Sequence, residues 1–464
     1  MSYASFDLQD TIVALATPPG IGAIGVIRLS GPAALNIVNV CFPAKDLLSQ
    51  ASHTIHYGSI RDEKGRILDE VLVSLFIAPR SYTKENVVEV SCHGSAYIHQ
   101  QLIQLFVRHG ARLARPGEFT LRAFLNGQMD LSQAEAVADL IASNSESAHQ
   151  MAMQQLRGGF RDEIKQLRDQ LIDFASLIEL ELDFGEEDVE FANRDDLKNL
   201  IHKIQSIIQR LMDSFHLGNA IKKGINTVIA GRPNAGKSTL LNALLNEERA
   251  IVSDIAGTTR DTIEEVLNIQ GVPFRLIDTA GIRDAQDQIE AVGVAKTMEK
   301  IEQSALLIYV FDVVQTAPEE VAADLRQLLR PGLHFLAIAN KMDLNPYTKY
   351  EHYASEVLPK DHFVPVSAIN KMNIEYLKEK LYDAVLREQV NLEGTVVSNA
   401  RHYEALGKAQ QSLKDVLHGM ETGITSDFVA MDIRQALHHL GEISGEISSE
   451  DLLGNIFGRF CIGK

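Results

Sequence analysis

Short apolar runs separated by Gly, Pro and charged residues fill the first part of the chain: TIVALA (11–16), GVIRLS (25–30), VLVSLFIA (71–78) and NVVEVSC (86–92). Runs of that length, bounded by turn residues, predict strands. The stretch AYIHQQLIQLFVRHG that follows predicts a helix ending at Gly110. Residues 1–122 therefore read as mixed α/β. From 123 to 217 the period lengthens. Ile164, Leu167, Leu171, Phe174 and Ile178 recur at alternating three- and four-residue steps, one apolar stripe suited to a helix bundle. Near 218 the pattern changes again. INTVIA reads as a short buried strand, and α/β alternation continues to 384. Helical patterns return over 385–464, in EALGKAQQSLKDVLHGM and DFVAMDIRQALHHLGEI. An α/β segment flanked by helical ones predicts a domain inserted into a helical one, with its insertion points close in space.

At 464 residues the chain exceeds what one core normally organises, and its 45% apolar and 23% charged residues are ordinary for a globular protein. No apolar run approaches the roughly 20 residues that span a bilayer. The opening MSYASFDLQD is polar and acidic, unlike a signal or transit peptide. Cys41, Cys92 and Cys461 are too few and too scattered for a disulfide framework or a zinc site, so a reducing cytoplasm is expected. The net charge of −18 argues against a strong autonomous nucleic-acid binder; any RNA contact needs a local basic patch or a partner's surface. ELDFGEEDVE (181–190) has six carboxylates and no Lys or Arg. A hard-cation site would need a loop converging its oxygens, and a solvated helix end or loop is the expectation there.

The strongest local signal is GRPNAGKST (231–239), directly after INTVIA and before LLNALL. A strand–loop–helix carrying G-x-x-x-x-G-K-[ST] turns backbone N–H groups toward phosphate oxygens. Lys237 reaches the β/γ-phosphates, Ser238 offers a hydroxyl to Mg²⁺, and the helix dipole adds positive potential. IVSDIAGTTRD (251–261) supplies Thr259 to complete the Mg²⁺ shell. LIDTAG (276–281) carries an apolar strand ending in Asp278, whose carboxylate can hold the metal through its bound water, and Gly281 offers its N–H to a γ-phosphate. In NKMD (340–343), the Asp343 carboxylate accepts two parallel N–H bonds that guanine offers and adenine does not. Ser367-Ala368 presents a backbone N–H to the guanine oxygen. Five such elements in order identify a GTPase domain. Its candidate GTP-binding residues are Asn234, Ala235, Gly236, Lys237, Ser238 and Thr239; Ser253, Asp254, Ile255, Ala256, Gly257, Thr258 and Thr259; Asp278, Thr279, Ala280 and Gly281; and Asn340, Lys341, Asp343, Ser367 and Ala368. After DTAG stands Ile282, where many small GTPases carry a water-positioning glutamine.

These motifs, joined to TPPG (17–20), VIRLSG (26–31), SYTKENVVEVSCHG (81–94), ARPGEFTLRAFLNG (114–127) and the terminal FCIGK, closely resemble the wobble-uridine tRNA-modification GTPase family (MnmE/TrmE) over essentially the whole chain. The resemblance implies an N-terminal α/β folate-binding and dimerisation domain (1–122), a discontinuous helical domain (123–217 and 385–464) and an inserted, doubly wound P-loop GTPase domain (218–384). It implies a homodimer working with a separate FAD-dependent partner, as a heterotetramer, to place an aminomethyl-type group on C5 of the tRNA wobble uridine. The one-carbon unit comes from a tetrahydrofolate (5-formyl or methylene form), and K⁺-dependent pairing of G domains accompanies GTP hydrolysis. By the same resemblance Asn234 ligates K⁺ with the backbone carbonyls of Ser253 and Ile255 and the Thr258 region, the cation replacing an arginine finger. Glu290 orients the hydrolytic water. Arg28, Glu89, Gln128 and Lys464 match folate positions, although Gln128 stands where a family member can carry lysine. Lys84 and Asn86 replace a more usual Gly and Asp. A ribosome-assembly GTPase is the competing reading; it predicts a basic RNA-binding appendage, and none is visible.

Cys461 is the fourth residue from the end, but Gly463 and Lys464 do not suit a prenylated C-a-a-X tail, and EISSEDLLGNIFGRF has no polybasic run. A positioned or reactive thiol remains, with Arg459 and Lys464 favouring the thiolate. The resemblance places FCIGK near the folate pocket and gives Cys461 a part in the uridine chemistry. Glu290, Lys237 and Cys461 are thus the candidate catalytic residues.

Overall fold

The computed structural model describes residues 9–183, 194–245, 264–278, 304–385, 395–422, 424–447, 450–458 and 460–463. The chain forms two compact units: Met1–Ile141 with Met153–Gln205 and Ala405–Lys464, and Ala142–Ala152 with Ser206–Glu404.

In the first unit six strands, β1 (Thr11–Leu15), β2 (Ile24–Ser30), β3 (Thr54–Arg61), β4 (Ile67–Phe76), β5 (Val87–His93) and β6 (Ala111–Leu113), form one sheet in the order β3-β4-β5-β2-β1-β6. All pairings are antiparallel except β1 with β6. Side chains alternate between the faces. Val13, Ile27, Leu29, Val88 and Val90 face a core closed by helices Ala34–Cys41 and Ala96–Arg108 through Ile37, Val38, Leu102, Leu105 and Phe106. Ile12 and Ala14 face the opposite way and pack with Phe119 of the helix Glu118–Leu125 and with Tyr82. Ala14, Arg28 and Glu89 are register partners across β1, β2 and β5, so Arg28 and Glu89 share that second face.

The helix Gly159–Asp183 buries Ile164, Leu167, Leu171 and Ile178, as the stripe predicts. Phe174 is only half-buried, and Ala175 takes the inward place in that turn. The helix Ser426–Ser444 packs along it, burying Val429, Ile433, Ala436, Leu440 and Ile443. The helix Glu450–Phe457 seats Phe457 in a cluster with Leu121, Leu131 and Ala134. The side chains of the acidic stretch at 181–190 lie outside the described residues.

A buried ion network fixes the Glu118–Leu125 helix beneath the sheet. The Arg122 side chain, 1% exposed, donates to the Asp10 carbonyl at 2.9 Å, to the Asp10 carboxylate, to Glu85 at 3.2 Å and to Glu118 at 3.1 Å. Arg112 joins the same carboxylates, Glu118 at 2.5 Å and Asp10 at 2.6 Å. Burial alone would raise both carboxyls; hydrogen bonds from Arg112 to each, with the Arg122 charge beside them, outweigh it and hold Asp10 and Glu118 below the ordinary range. Ser30 Oγ donates to Glu85 at 2.6 Å and so ties β2 into the network.

The second unit holds strands β7 (Ile225–Ala230), β8 (Glu264–Ile269), β9 (Val272–Asp278), β10 (Leu306–Asp312), β11 (His334–Asn340) and β12 (Phe363–Pro365), in the order β12-β11-β10-β7-β9-β8. Only β8 with β9 is antiparallel. Every residue of β10, LLIYVFD, is buried, because helices cover both faces of the sheet. Lys237–Leu245 and Ile374–Val385 pack on one face and Pro318–Leu328 on the other. Segments on either side of this α/β fold meet: Val397 N–H donates to Ser214 Oγ at 3.0 Å, and Phe215 stacks on Tyr403 at 4.5 Å.

Truncating Arg122 removes the cation shared by three carboxylates, two of them well buried. Breaking such a network by taking one partner costs about 3–5 kcal/mol. Arg122→Ala is expected to lose that much stability in denaturant-induced unfolding of the full chain; a change under about 1 kcal/mol would show that the network is mechanically idle.

Candidate functional site

Ligands bind at the carboxyl ends of the strands in an open α/β sheet, and there the second unit gathers its motif residues. The loop 231–236 leaves β7, and the helix Lys237–Leu245 begins with its first-turn N–H groups directed back at the loop. Asn234 adopts a left-handed backbone with φ of 60°. The Lys237 ammonium donates to the Gly231 and Arg232 carbonyls at 2.8 and 2.9 Å, lying across the loop it belongs to. Ser238 and Thr239 follow in the first turn of the helix.

One amide joins this loop to the motifs on β11 and β12. Asn340, 2% exposed, donates from Nδ2 to the Ala235 carbonyl at 2.9 Å and accepts on Oδ1 from the Ala368 N–H at 3.1 Å. It therefore holds the phosphate-loop backbone with one end and the Ser367-Ala368 turn with the other. Gly236 leaves room for it: with φ of 91°, a Cβ there would stand 2.3 Å from Asn340 Nδ2. Lys341, also left-handed at φ 68°, reaches Asp312 Oδ2 at 2.7 Å, the last residue of β10. Burial would raise Asp312, but the Lys341 ammonium and the Val314 N–H hold its carboxyl below the usual range. Asp343 is exposed and accepts from Ser367 Oγ at 2.5 Å. Its orientation is thus set by a residue of the neighbouring motif.

Sequence reasoning passed over Arg232, the first variable residue of the loop. Its guanidinium bonds Asp324 at 2.8 Å and Glu320 at 2.5 Å on the helix Pro318–Leu328, and the Tyr309 hydroxyl donates to the same Asp324 at 2.6 Å. The loop is thereby anchored on both sides, by Asn340 and by this helix. Asp278 ends β9. Ser253, Asp254, Ile255, Ala256, Gly257, Thr258, Thr259, Thr279, Ala280, Gly281 and Glu290 lie outside the described residues, as do the side chain of Asp278 and all of Lys464.

A second constellation lies in the first unit. Arg28 Nε donates to Glu89 Oε1 at 2.8 Å, and the guanidinium lies 5.4 Å from the Tyr82 ring centroid and 5.6 Å from that of Phe119. Both charged side chains keep about a quarter of their surface, 21% and 26%. The SYTKEN loop takes up its non-glycine residue at Lys84 with φ of 58°, and its ammonium donates to the Gly127 carbonyl at 2.7 Å. Asn126 Nδ2 donates to the Thr83 carbonyl at 2.7 Å. Those two bonds bring the NGQMD loop against SYTKEN. Gln128 is exposed there, its N–H donating to the Ala123 carbonyl at 2.8 Å.

The tail closes on the same region. The Gly117 N–H points at the Cys461 carbonyl at 3.4 Å, two residues before Phe119. Gly463 abuts the Leu15 carbonyl, where a Cβ would come to 2.2 Å, beside the row that carries Arg28. Cys461 is exposed, whereas Cys41 and Cys92 are buried and burial pushes both their thiols up to about 11. The structure thus pairs Arg28 with Glu89, adds the Tyr82 and Phe119 rings to them, and sets the tail against Leu15 and Gly117 nearby.

Residues 131–461 match the MnmE helical domain family, and residues 11–128 match the N-terminal family of the GTP-binding protein TrmE. The chain belongs to the MnmE family of tRNA modification GTPases. A tRNA modification GTPase MnmE of Cytophaga hutchinsonii is 56% identical, covering 98% of each chain. Another, of Christiangramia forsetii, is 55% identical over 98% of this chain and 100% of its own length. Among solved structures, a GTP-binding protein of Sulfolobus solfataricus in complex with GDP is similar over 48% of this chain and 67% of its own, at 21% identity and a TM-score of 0.29.

Gly236→Ala tests how tightly the loop and Asn340 are fitted. The overlap forces one of them to move, at roughly 1–3 kcal/mol, and nucleotide affinity is expected to fall by roughly ten- to a hundredfold. Titration with a fluorescent GDP reads it directly. An unchanged affinity would show that the loop does not depend on this contact.

Proposed function

We propose that this MnmE-family chain couples GTP hydrolysis in its second unit to modification of C5 of the tRNA wobble uridine, carried out at the Arg28–Glu89 face of its first unit with a flavin-dependent partner. The observation that carries this reading is that Arg28, Glu89, Tyr82 and Phe119 gather at one face of one sheet, with the Cys461 carbonyl at Gly117, just before the helix that brings Phe119 there. Membership of the family supports GTP and tRNA as the molecules served.

The residues present suit a folate. The Glu89 carboxylate, a quarter exposed, can accept N–H bonds from a flat heterocycle, while Tyr82 and Phe119 flank the Arg28 that bonds it. Arg28 holds Glu89 in place, and Lys84 orders the neighbouring loop. A bound tetrahydrofolate supplies the one-carbon unit, in its 5-formyl or methylene form. Gln128 and Lys464 are further contacts to it. Cys461 offers the thiol for the uridine chemistry. The chain acts as a homodimer in the cytoplasm, and with the FAD-dependent partner as a heterotetramer.

At the nucleotide, Lys237 exchanges its loop carbonyls for phosphate oxygens, and Ser238 and Thr259 hold Mg²⁺. Asp343 with Ala368 reads guanine. Asn234, with the carbonyls of Ser253 and Ile255 and the Thr258 region, ligates K⁺, which neutralises charge developing on the phosphates. Glu290 orients the attacking water. The boundaries 1–122, 123–217, 218–384 and 385–464 divide these tasks between folate, helical and G domains.

Nucleoside analysis of bulk tRNA tests the reading. A strain lacking this gene is expected to lose the C5 modification of the wobble uridine, and the wild-type chain restores it. Cys461→Ser is expected to restore nothing while keeping GTP turnover within about twofold of wild type. Intact modification in the deletion strain would refute the proposal; loss of both activities in Cys461→Ser would give the thiol a folding role. GTP turnover in K⁺ is expected to exceed that in Na⁺ at least about tenfold, as transition-state charge stabilisation of a few kcal/mol requires. Equal rates would remove the cation site at Asn234.

A further inference from the structure

The helix Ser426–Ser444 carries HHLGE at 438–442, a sequence that the proposed chemistry does not use. On a helix of roughly 100° per residue, position 442 falls between 438 and 439 in angle, one turn further along. Helical side chains lean toward the N-terminus, so the Glu442 carboxylate reaches back to the turn bearing the two imidazoles. The structure has this arrangement. His438 Nε2 lies 3.6 Å from Glu442 Oε1, and His439 Nδ1 lies 3.3 Å from Glu442 Oε2. One ligand atom from each residue lies within 4.8 Å of the other two. The rings stand edge-on, with centroids 5.6 Å apart.

We propose that His438, His439 and Glu442 bind one Zn²⁺-class divalent ion. Bonds of about 2.0–2.2 Å at tetrahedral angles separate neighbouring ligand atoms by about 3.3–3.5 Å. The two imidazole–carboxylate separations, 3.6 and 3.3 Å to opposite oxygens of Glu442, lie near that edge, and small side-chain rotations bring the three ligand atoms, now within 4.8 Å of one another, onto one ion. Both separations are long for charge-assisted hydrogen bonds, whose usual length is about 2.7–2.9 Å. Two imidazoles and a carboxylate select Zn²⁺, Co²⁺ or Ni²⁺ over Mg²⁺ and Ca²⁺, which take oxygen ligands. Three protein ligands leave a fourth position for water. The nearby cations do not oppose an ion: Arg434, one turn before His438, bonds Glu179 at 2.6 Å, and Arg168, near Gly441, pairs with Glu446. His439 keeps 15% of its side-chain surface and His438 50%, so the site opens to solvent on one side and rests on the packed face of the helix on the other.

The test is calorimetric titration of the tag-free, full-length chain with Zn²⁺, repeated with Co²⁺ by visible absorption. One site per chain is expected. Replacing a direct ligand should cost at least the factor of about ten that removing an outer-shell partner does, so Zn²⁺ affinity should fall at least tenfold in His438→Ala and in Glu442→Gln. His438 is half exposed, and the metal-free melting temperature of His438→Ala is expected to match wild type, which separates ligand loss from misfolding. Cys461→Ser should leave the titration unchanged. The proposal is overturned if the wild-type chain takes up no Zn²⁺, if both ligand variants bind it undiminished, or if binding disappears with Cys461→Ser.

Discussion

Asn340 is the constraint around which the second unit is assembled. Its one side-chain amide meets the phosphate loop after β7 and the turn after β12, and each contact uses a different end of the group. A buried amide that loses either partner carries an unpaired donor or acceptor, at about 1–3 kcal/mol. The three segments are therefore held in a single arrangement or not at all. This explains why Gly236 must lack a side chain, for a Cβ there would stand 2.3 Å from Asn340 Nδ2. The amide also joins the loop that carries Lys237 to the turn beside Asp343, the residues proposed to meet phosphate and guanine.

The first unit has an analogous organiser in Arg122, with the difference that it uses charge. Arg122 and Arg112 seat the Glu118–Leu125 helix against the sheet, and that helix presents Phe119 to Arg28 and Gly117 to the Cys461 carbonyl. The network reaches into the loop 81–86, where Glu85 is a member, and the Thr83 carbonyl of that loop accepts from Asn126 Nδ2.

Much of this was legible from sequence because the signals are local. The strand, loop and helix at 225–245 follow from an apolar run, two glycines and an apolar helix face, and the long stripe at 164–178 follows from periodicity. What escaped was set by partners far away in the chain. β3 carries TIHYGSIR with Ile55 and Tyr57 exposed and His56 buried, so its apolar residues do not mark the buried face; it pairs along the edge of β4. Arg122 sits in a helix whose sequence looks like any amphipathic turn, and its partners Asp10 and Glu85 are 112 and 37 residues away. The double role of Asn340 is hidden for the same reason, since Ala235 precedes it by 105 residues. Motifs reveal which groups a ligand would meet, and only the fold reveals which groups hold those in place.

Because one amide serves both halves of the nucleotide site, its removal should not separate them. The direct measurement is binding of GDP, ADP and inorganic pyrophosphate to the full chain bearing Asn340→Ala, against wild type. The account predicts that pyrophosphate affinity and the preference for GDP over ADP fall together. Loss of guanine preference with pyrophosphate binding unchanged would contradict it, because the phosphate loop would then stand without Asn340.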